Sequence, residues 1–217
     1  MNLRDIRSEI RLLTDTTEDK KYPDSHINDF INRGQMILVD EAELLETTAT
    51  ATAASGTKEY DLDSSSIWTP EGGGGAAAIS ILRMRRVDYD GYKIHRIGYH
   101  QIVNPSNSSG TATIPGGYGY YIRDNKVGIF PDPSAVTIKI YYIPKPTTLS
   151  SNTSTPDIDS AYHEALVYYG AWKVAERFQR DMISYYKNEW SEWKRKAIQY
   201  GNYKFAEPSF TIDYNDF

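Results

Sequence analysis

The sequence predicts an α+β fold: helices from both ends of the chain form one bundle, with an antiparallel β-rich domain inserted between them and an extended C-terminal arm. Three observations predict it. Apolar residues recur at threes and fours near both ends of the chain, they alternate by twos through its middle, and the closing stretch NYKFAEPSFTIDYNDF is acidic and aromatic without helical spacing. Neither helical half can bury its apolar stripe alone, so a sheet inserted into a shared bundle is the economical arrangement. The boundaries then fall at residues 1–46 for the first helices, 47–155 for the inserted domain, 156–201 for the last helix pair and 202–217 for the arm.

Leu3, Ile6, Ile10 and Leu13 make the stripe of a first helix, with Arg4, Arg7 and Arg11 on its other faces. Asp24 or Ser25 can cap a second helix through a side-chain oxygen, and Ile27, Phe30, Ile31, Ile37, Leu38, Leu44 and Leu45 supply its buried face. Gly34 costs such a helix about 1 kcal/mol against alanine. A second helix crossing closely at that point would explain it.

The period changes at Thr47, where TTATATAAS reads as a strand. Tyr60 and Leu62 continue the alternation, and SSSIWTPEGGGGAAA reads as a loop that packs little side-chain volume. Two strands surround Asp90-Gly91, a favoured hairpin turn. YHQIVN has the makings of one helical turn, and PSNSSGTATIPGG is loop. A second hairpin turns at Asp124-Asn125, and a last strand places Val136, Ile138, Ile140 and Tyr142 on one face.

After Pro156 the helical period returns. Ala161, Ala165, Leu166, Tyr169, Trp172 and Val174 line one side of a helix, opposite Glu164, Lys173, Glu176 and Arg177. A turn near Arg180 and Asp181 leads to a second helix carrying Met182, Tyr185, Tyr186, Trp190, Trp193, Ala197 and Tyr200 and closing at Gly201. Rings of this kind fill a core and also suit interfaces. In the arm, Phe210, Ile212 and Tyr214 alternate with Thr211 and Asp213, the pattern of a strand that adds to a sheet edge. The arm either reaches another subunit or protein or folds back on its own domain.

Composition excludes several classes. With no cysteine there is no disulfide, thiol nucleophile or cysteine metal site. The longest apolar run, AAAISIL, is far short of the ~20 residues of a membrane helix, and MNLRDIRSEI lacks the apolar centre of a signal peptide. A net charge of -5 argues against nucleic-acid binding over the whole surface. The 18 tyrosines are the compositional oddity, suited to a core, an interface or sugar stacking.

No chemistry-bearing constellation emerges. His26, His95, His100 and His163 lie in no nucleophile-elbow pattern, and the glycine runs lack the Lys-Ser or Lys-Thr of a phosphate-binding loop. Asp88 and Asp90 imitate the start of a calcium loop without its closing glutamate, so a turn is the better reading. An odd step puts His95 and His100 on opposite faces, against a metal pair. Arg83, Arg85 and Arg86 form the one dense basic run; Arg83 and Arg85 would share a strand face, at a solvated or subunit-facing edge. No catalytic residue, cofactor or metal is expected.

Several stretches do carry a resemblance through their order: PDSHINDFINRGQMILVDEAELL, then a tyrosine-containing strand after Gly56, then YYIRDNKVGIFPDPSAVTIKIYYIPKP, then DIDSAYHEALVYYGAWKVAER. This order resembles the head-to-tail adaptor proteins of tailed bacteriophages over most of residues 1–200, with the GGGGAAA loop and the acidic aromatic tail as departures. The resemblance implies a structural virion protein, assembled in the cytoplasm of the bacterial host. It would form a ring, typically of twelve copies, beneath the portal protein, meet a tail or nozzle protein on its far side, and let genomic DNA pass its lumen without specific binding. Contacts between copies would then use Tyr169, Trp172, Tyr185, Trp190 and Trp193 of the last helices and Phe210, Ile212 and Tyr214 of the arm, while the sheet and its glycine loops face another ring or the tail. Two alternatives stay open: a carbohydrate- or receptor-binding module of a phage tail, and a small hydrolase.

Overall fold

The computed structural model describes residues 1–16, 22–73, 75–99, 117–131 and 133–205. Two compact units emerge, one of Met1–Leu45 with Pro146–Phe217 and one of Glu46–Lys145. With its helices and its eight-stranded sheet the fold is α+β.

The first unit holds α1 (Leu3–Leu13), α2 (Asp24–Ala42), α3 (His163–Phe178) and α4 (Ile183–Phe205). A capping box starts α1: the Asn2 side chain accepts from the Asp5 amide at 3.0 Å and the Asp5 carboxylate from the Asn2 amide at 3.1 Å. Leu3, Ile6 and Ile10 are fully buried, but Leu13, expected in the same stripe, is 37% exposed. Arg11 also departs from expectation, because its guanidinium turns inward. It donates to the carbonyls of Thr16 (2.8 Å) and Tyr22 (2.9 Å) and to the Asp24 carboxylate, holding both ends of the connection between α1 and α2. Asp24 is therefore engaged by arginine rather than capping α2, whose N-cap position belongs to Pro23. The buried face of α2 runs through Ile27, Ile31, Leu38 and Val39, leaving Phe30 and Ile37 half-buried.

Segment 146–157 is bound to these helices, so the second unit boundary lies after Lys145 rather than near Thr155. The amides of Leu3 and Arg4 donate to the carbonyls of Ser154 and Asn152. The buried Gln35 amide donates to the Thr147 carbonyl at 3.1 Å and accepts from the Asp157 amide at 3.1 Å. Asn32 makes a matching pair of bonds with the backbone of Leu149.

Helix crossings in this unit run over glycines. A Cβ on Gly34 would stand 2.9 Å from the Tyr169 ring of α3, the close crossing its sequence position called for. On Gly170 it would overlap Ile10 of α1, and on Gly201 the carbonyl oxygen of Ala42 in α2. Gly201 thus lies inside α4, which continues to Phe205 instead of closing there. Ala161, expected on the inner side of α3, is exposed in a preceding turn of 3-10 helix, Ser160–Tyr162.

The second unit holds β1 (Thr47–Thr52), β2 (Glu59–Asp61), β3 (Thr69–Pro70), β4 (Ile81–Tyr89), β5 (Tyr92–Arg96), β6 (Gly119–Arg123), β7 (Lys126–Phe130) and β8 (Thr137–Pro144). They form one sheet in the order β2-β7-β6-β5-β4-β8-β1-β3. The expectation of an antiparallel sheet holds except for β5 and β6, which pair in parallel at His95/Gly119 and Arg96/Tyr120. Both expected hairpins form, and Asp90 and Gly91 take the left-handed backbone (φ 52° and 80°) that a two-residue turn requires. The expected helical turn and loop of residues 99–117 lie outside the described residues apart from Tyr99 and Gly117.

Alternation decides which face packs. Val87, Tyr89, Ile94, Tyr120, Val127, Ile129, Ile138, Ile140 and Tyr142 point to one buried side. Register shifts in β4 between Ile81 and Arg83 and between Met84 and Arg86 break the simple period, so Arg83 and Arg86, not Arg83 and Arg85, share a parity opposite Ile143 and Tyr141. The stretch read as a loop of small residues contributes more than expected. Trp68 is fully buried and donates its indole N–H to the Asp61 carbonyl at 2.9 Å. Ala77 and Ile79 donate to the carbonyls of Trp68 and Leu62, so this segment links the region of the two outermost strands, β2 and β3.

Two substitutions test this architecture. Alanine normally gains about 1 kcal/mol over glycine in a helix, but Gly201→Ala should lose about 1–3 kcal/mol through overpacking against the α2 backbone; a raised denaturation midpoint would refute the crossing. Trp68→Ala should cost about 3–5 kcal/mol by emptying a core position, measured by urea unfolding of the whole chain.

Candidate functional site

The aromatic residues singled out in the last two helices separate into a buried pair and an outer group. Tyr169 (3% exposed) and Trp190 (4%) pack with centroids 4.8 Å apart and ring planes tilted by 56°, joining α3 to α4 where α3 crosses Gly34. Trp172 meets Tyr169 edge-on at 5.6 Å and is half-buried, with the Lys173 ammonium 3.8 Å from its ring centroid and that of Lys187 at 5.7 Å. Trp193 is half-buried beneath Lys196, 4.6 Å from its centroid. Tyr185 is 48% exposed against the buried Tyr186. Phe210, Ile212 and Tyr214 lie outside the described residues.

The physical arrangement is an aromatic layer with cations on its outer rim. Lysine over a ring gains roughly 0.5–1 kcal/mol at an exposed site, a modest bias toward the positions seen over Trp172 and Trp193. The ammonium groups shield part of each ring from water and present charge at its border.

A second surface has no counterpart in the expected site. Met1, Glu9 and Leu13 on one side and Glu164, Val167 and Tyr168 on the other line a groove of about 320 Å³ between α1 and the start of α3. Leu12, which precedes the lining residue Leu13 in sequence, is 68% exposed. The Tyr186 hydroxyl donates to the Leu13 carbonyl at 2.6 Å and so anchors the C-terminal end of α1 to α4. Burial, followed by the nearby Tyr185, Glu164 and Glu189, raises the Tyr168 hydroxyl pKa, keeping it a neutral hydrogen-bonding group. The sequence carried one signal for this surface: adjacent leucines at positions 12 and 13 cannot both lie on one narrow stripe.

At the head of α3, His163 is buried, with Nε2 3.1 Å from the Ile158 carbonyl and Nδ1 3.0 Å from the Met1 amine. Burial pushes its pKa below the ordinary 6.5, favouring the neutral ring. With Nδ1 accepting from the amine, Nε2 carries the proton and donates to Ile158. Among the described residues no group of three or more His, Asp or Glu side chains is placed to hold a metal ion. No helix among them is long and apolar enough to cross a membrane.

Because the folded pKa of His163 lies below the unfolded one, its neutral form contributes stability above about pH 6.5, and this is lost as pH falls through that value toward the folded pKa. The unfolding midpoint should therefore drop between pH 7 and pH 5, and the drop should shrink in His163→Gln. An unchanged slope in that variant would remove His163 as its source.

Against models of protein families, the chain matches the one described as SU10 adaptor protein over residues 1–203. No curated protein matches it.

Proposed function

We propose, because this chain belongs to the SU10 adaptor protein family, that it joins the head of a tailed bacteriophage to its tail as a ring beneath the portal. A structural adaptor role in a phage is what the family match carries. The finer assignment is ours: about twelve copies around a lumen, the portal on one side, a tail or nozzle protein on the other, and DNA passing without specific contact. The net charge of -5 supports the last point, since an acidic chain repels phosphate. The particle is the site of action, and assembly takes place in the host cytoplasm.

The match over residues 1–203 carries this proposal, and the outer surface of the helical unit supports it. A ring needs rigid lateral faces, and the crossings at Gly34, Gly170 and Gly201 hold the four helices close. In our assignment Trp172, Tyr185 and Trp193 meet a neighbouring copy directly. Tyr169 and Trp190 form the packed layer behind them, and Phe210, Ile212 and Tyr214 of the arm engage a neighbouring copy or a tail component.

Removing the gene from its phage should leave filled heads and free tails that do not join, as seen by electron microscopy; joined infectious particles without the chain would refute the proposal. Deleting residues 206–217 should reduce joining at least tenfold if the arm is a docking element. Mass measurement of the purified chain with and without portal assemblies then reads ring formation directly.

A further inference from the structure

Two exposed surfaces of the helical unit carry opposite charge and complementary apolar groups. One is the groove between α1 and α3, lined by Glu9, Leu13, Glu164 and Val167 and by Met1, whose amine lies 3.0 Å from His163 Nδ1, so that two carboxylates against one amine leave it net acidic. The other is the C-terminal half of α4. From Trp193 to Phe205 there is no acidic residue, while Lys194, Arg195 and Lys196 follow one another. Beyond them Tyr203 is 83% exposed, and Tyr200 (45%) lies against the Tyr162 ring at 5.9 Å between centroids.

Lys194 is engaged by Glu41 of α2 at 2.9 Å, while Arg195 and Lys196 are held by contacts within α4 itself. Arg195 pairs with Glu192 three residues back, both side chains more than half exposed, and Lys196 lies over Trp193. Exposed pairs of this kind contribute about 0–1 kcal/mol, so a desolvated partner can displace them. The groove lies at the lower end of the ~300–1,000 Å³ range of binding pockets, suited to one aromatic anchor rather than a whole helix. An exposed tyrosine flanked by cations fits an apolar slot flanked by carboxylates in both charge and character.

Placing groove against groove between two copies would set Glu9 and Glu164 against like charge, and placing α4 against α4 would do the same with its cations. Groove against α4 removes both conflicts. We infer that neighbouring copies associate head to tail, with the Arg195–Tyr203 surface of one seated in the α1/α3 groove of the next. This rests on the ring proposed above and specifies its contact. Because the two surfaces differ, the contact is heterologous: each copy uses one surface in each direction, and the series ends only by closing on itself.

The chain has no cysteine, so the test is a pair of exposed substitutions that leave the tyrosines in place, Leu12→Cys with Asn202→Cys, in particles assembled from the variant and treated with a flexible bis-maleimide. A ladder of linked copies extending beyond the dimer, with peptides joining position 12 to position 202, is the expected result. Each single variant should give at least tenfold less of any species above the dimer. Absence of a ladder, or linkage of position 12 to a different protein, overturns the inference. Should the pair yield no particles, charge exchange replaces it: Glu9→Lys with Glu164→Lys should cut particle yield at least tenfold, and adding Arg195→Glu with Lys196→Glu should restore most of it. Yield that does not fall, or does not recover, also overturns the contact. Particles that contain many copies of the chain but show no linkage sink this contact and leave the adaptor proposal standing, whereas particles joined without the chain sink both.

Discussion

The helical unit depends on close approach between helices that are far apart in sequence. At Gly201 the α4 backbone passes against the Ala42 carbonyl, and at Gly170 the α3 backbone admits the Ile10 side chain. Each glycine gives up roughly 1 kcal/mol of helix propensity in exchange for contact that any Cβ would prevent. Short separations bring more apolar area together per turn, and dispersion between many atoms accumulates only at such separations. Contacts between the helices build on that closeness. Tyr169 can reach across to Trp190, Tyr186 can reach Leu13, and the α1/α3 groove acquires fixed walls.

The sheet unit solves a different problem. Its outer strands are very short, three residues in β2 and two in β3, and short edges expose few unpaired backbone groups to other chains. Trp68 fills the core from the segment between those strands, and its indole N–H is satisfied by the Asp61 carbonyl. On the outer face, Tyr141 lies between the Arg86 guanidinium (5.2 Å) and the Lys139 ammonium (5.1 Å), and Arg86 also binds the buried Asp88 carboxylate. The basic run of β4 is thus partly built into the sheet's own surface.

Where the local period dominates, the sequence reveals the element. Helices α1 to α4, the two hairpins and β8 could all be read from apolar spacing and turn chemistry, because those signals act over a few residues. What escaped it arises from contacts that a local period does not encode. Arg11 looked like a solvent residue until its carbonyl partners at Thr16 and Tyr22 were in place. Gly201 looked like a helix end because glycine commonly closes helices, and only the position of Ala42 gives it another role. Trp68 sat among serines, prolines and glycines that hid its burial. Among the candidate contact residues, the aromatic character of Tyr169 and Trp190 was visible but their enclosure was not, since an amphipathic pattern cannot tell a shared core from an open flank. The parallel pairing of β5 with β6 left no trace in alternation at all.

The chain enters the sheet unit through β1 and leaves it through β8, and these strands are antiparallel neighbours with Thr47 opposite Tyr142. Entry and exit are therefore a few ångströms apart, the spacing of adjacent strands. An excursion of about a hundred residues consequently costs the interrupted helices little separation, and it attaches like a cassette whose two ends close on themselves. During synthesis the cassette can complete its hydrogen bonding while α3 and α4 are still on the ribosome, whereas α1 and α2 wait for partners made last. Such wiring lets one lineage exchange or resize its inserted module without rethreading the helices that frame it.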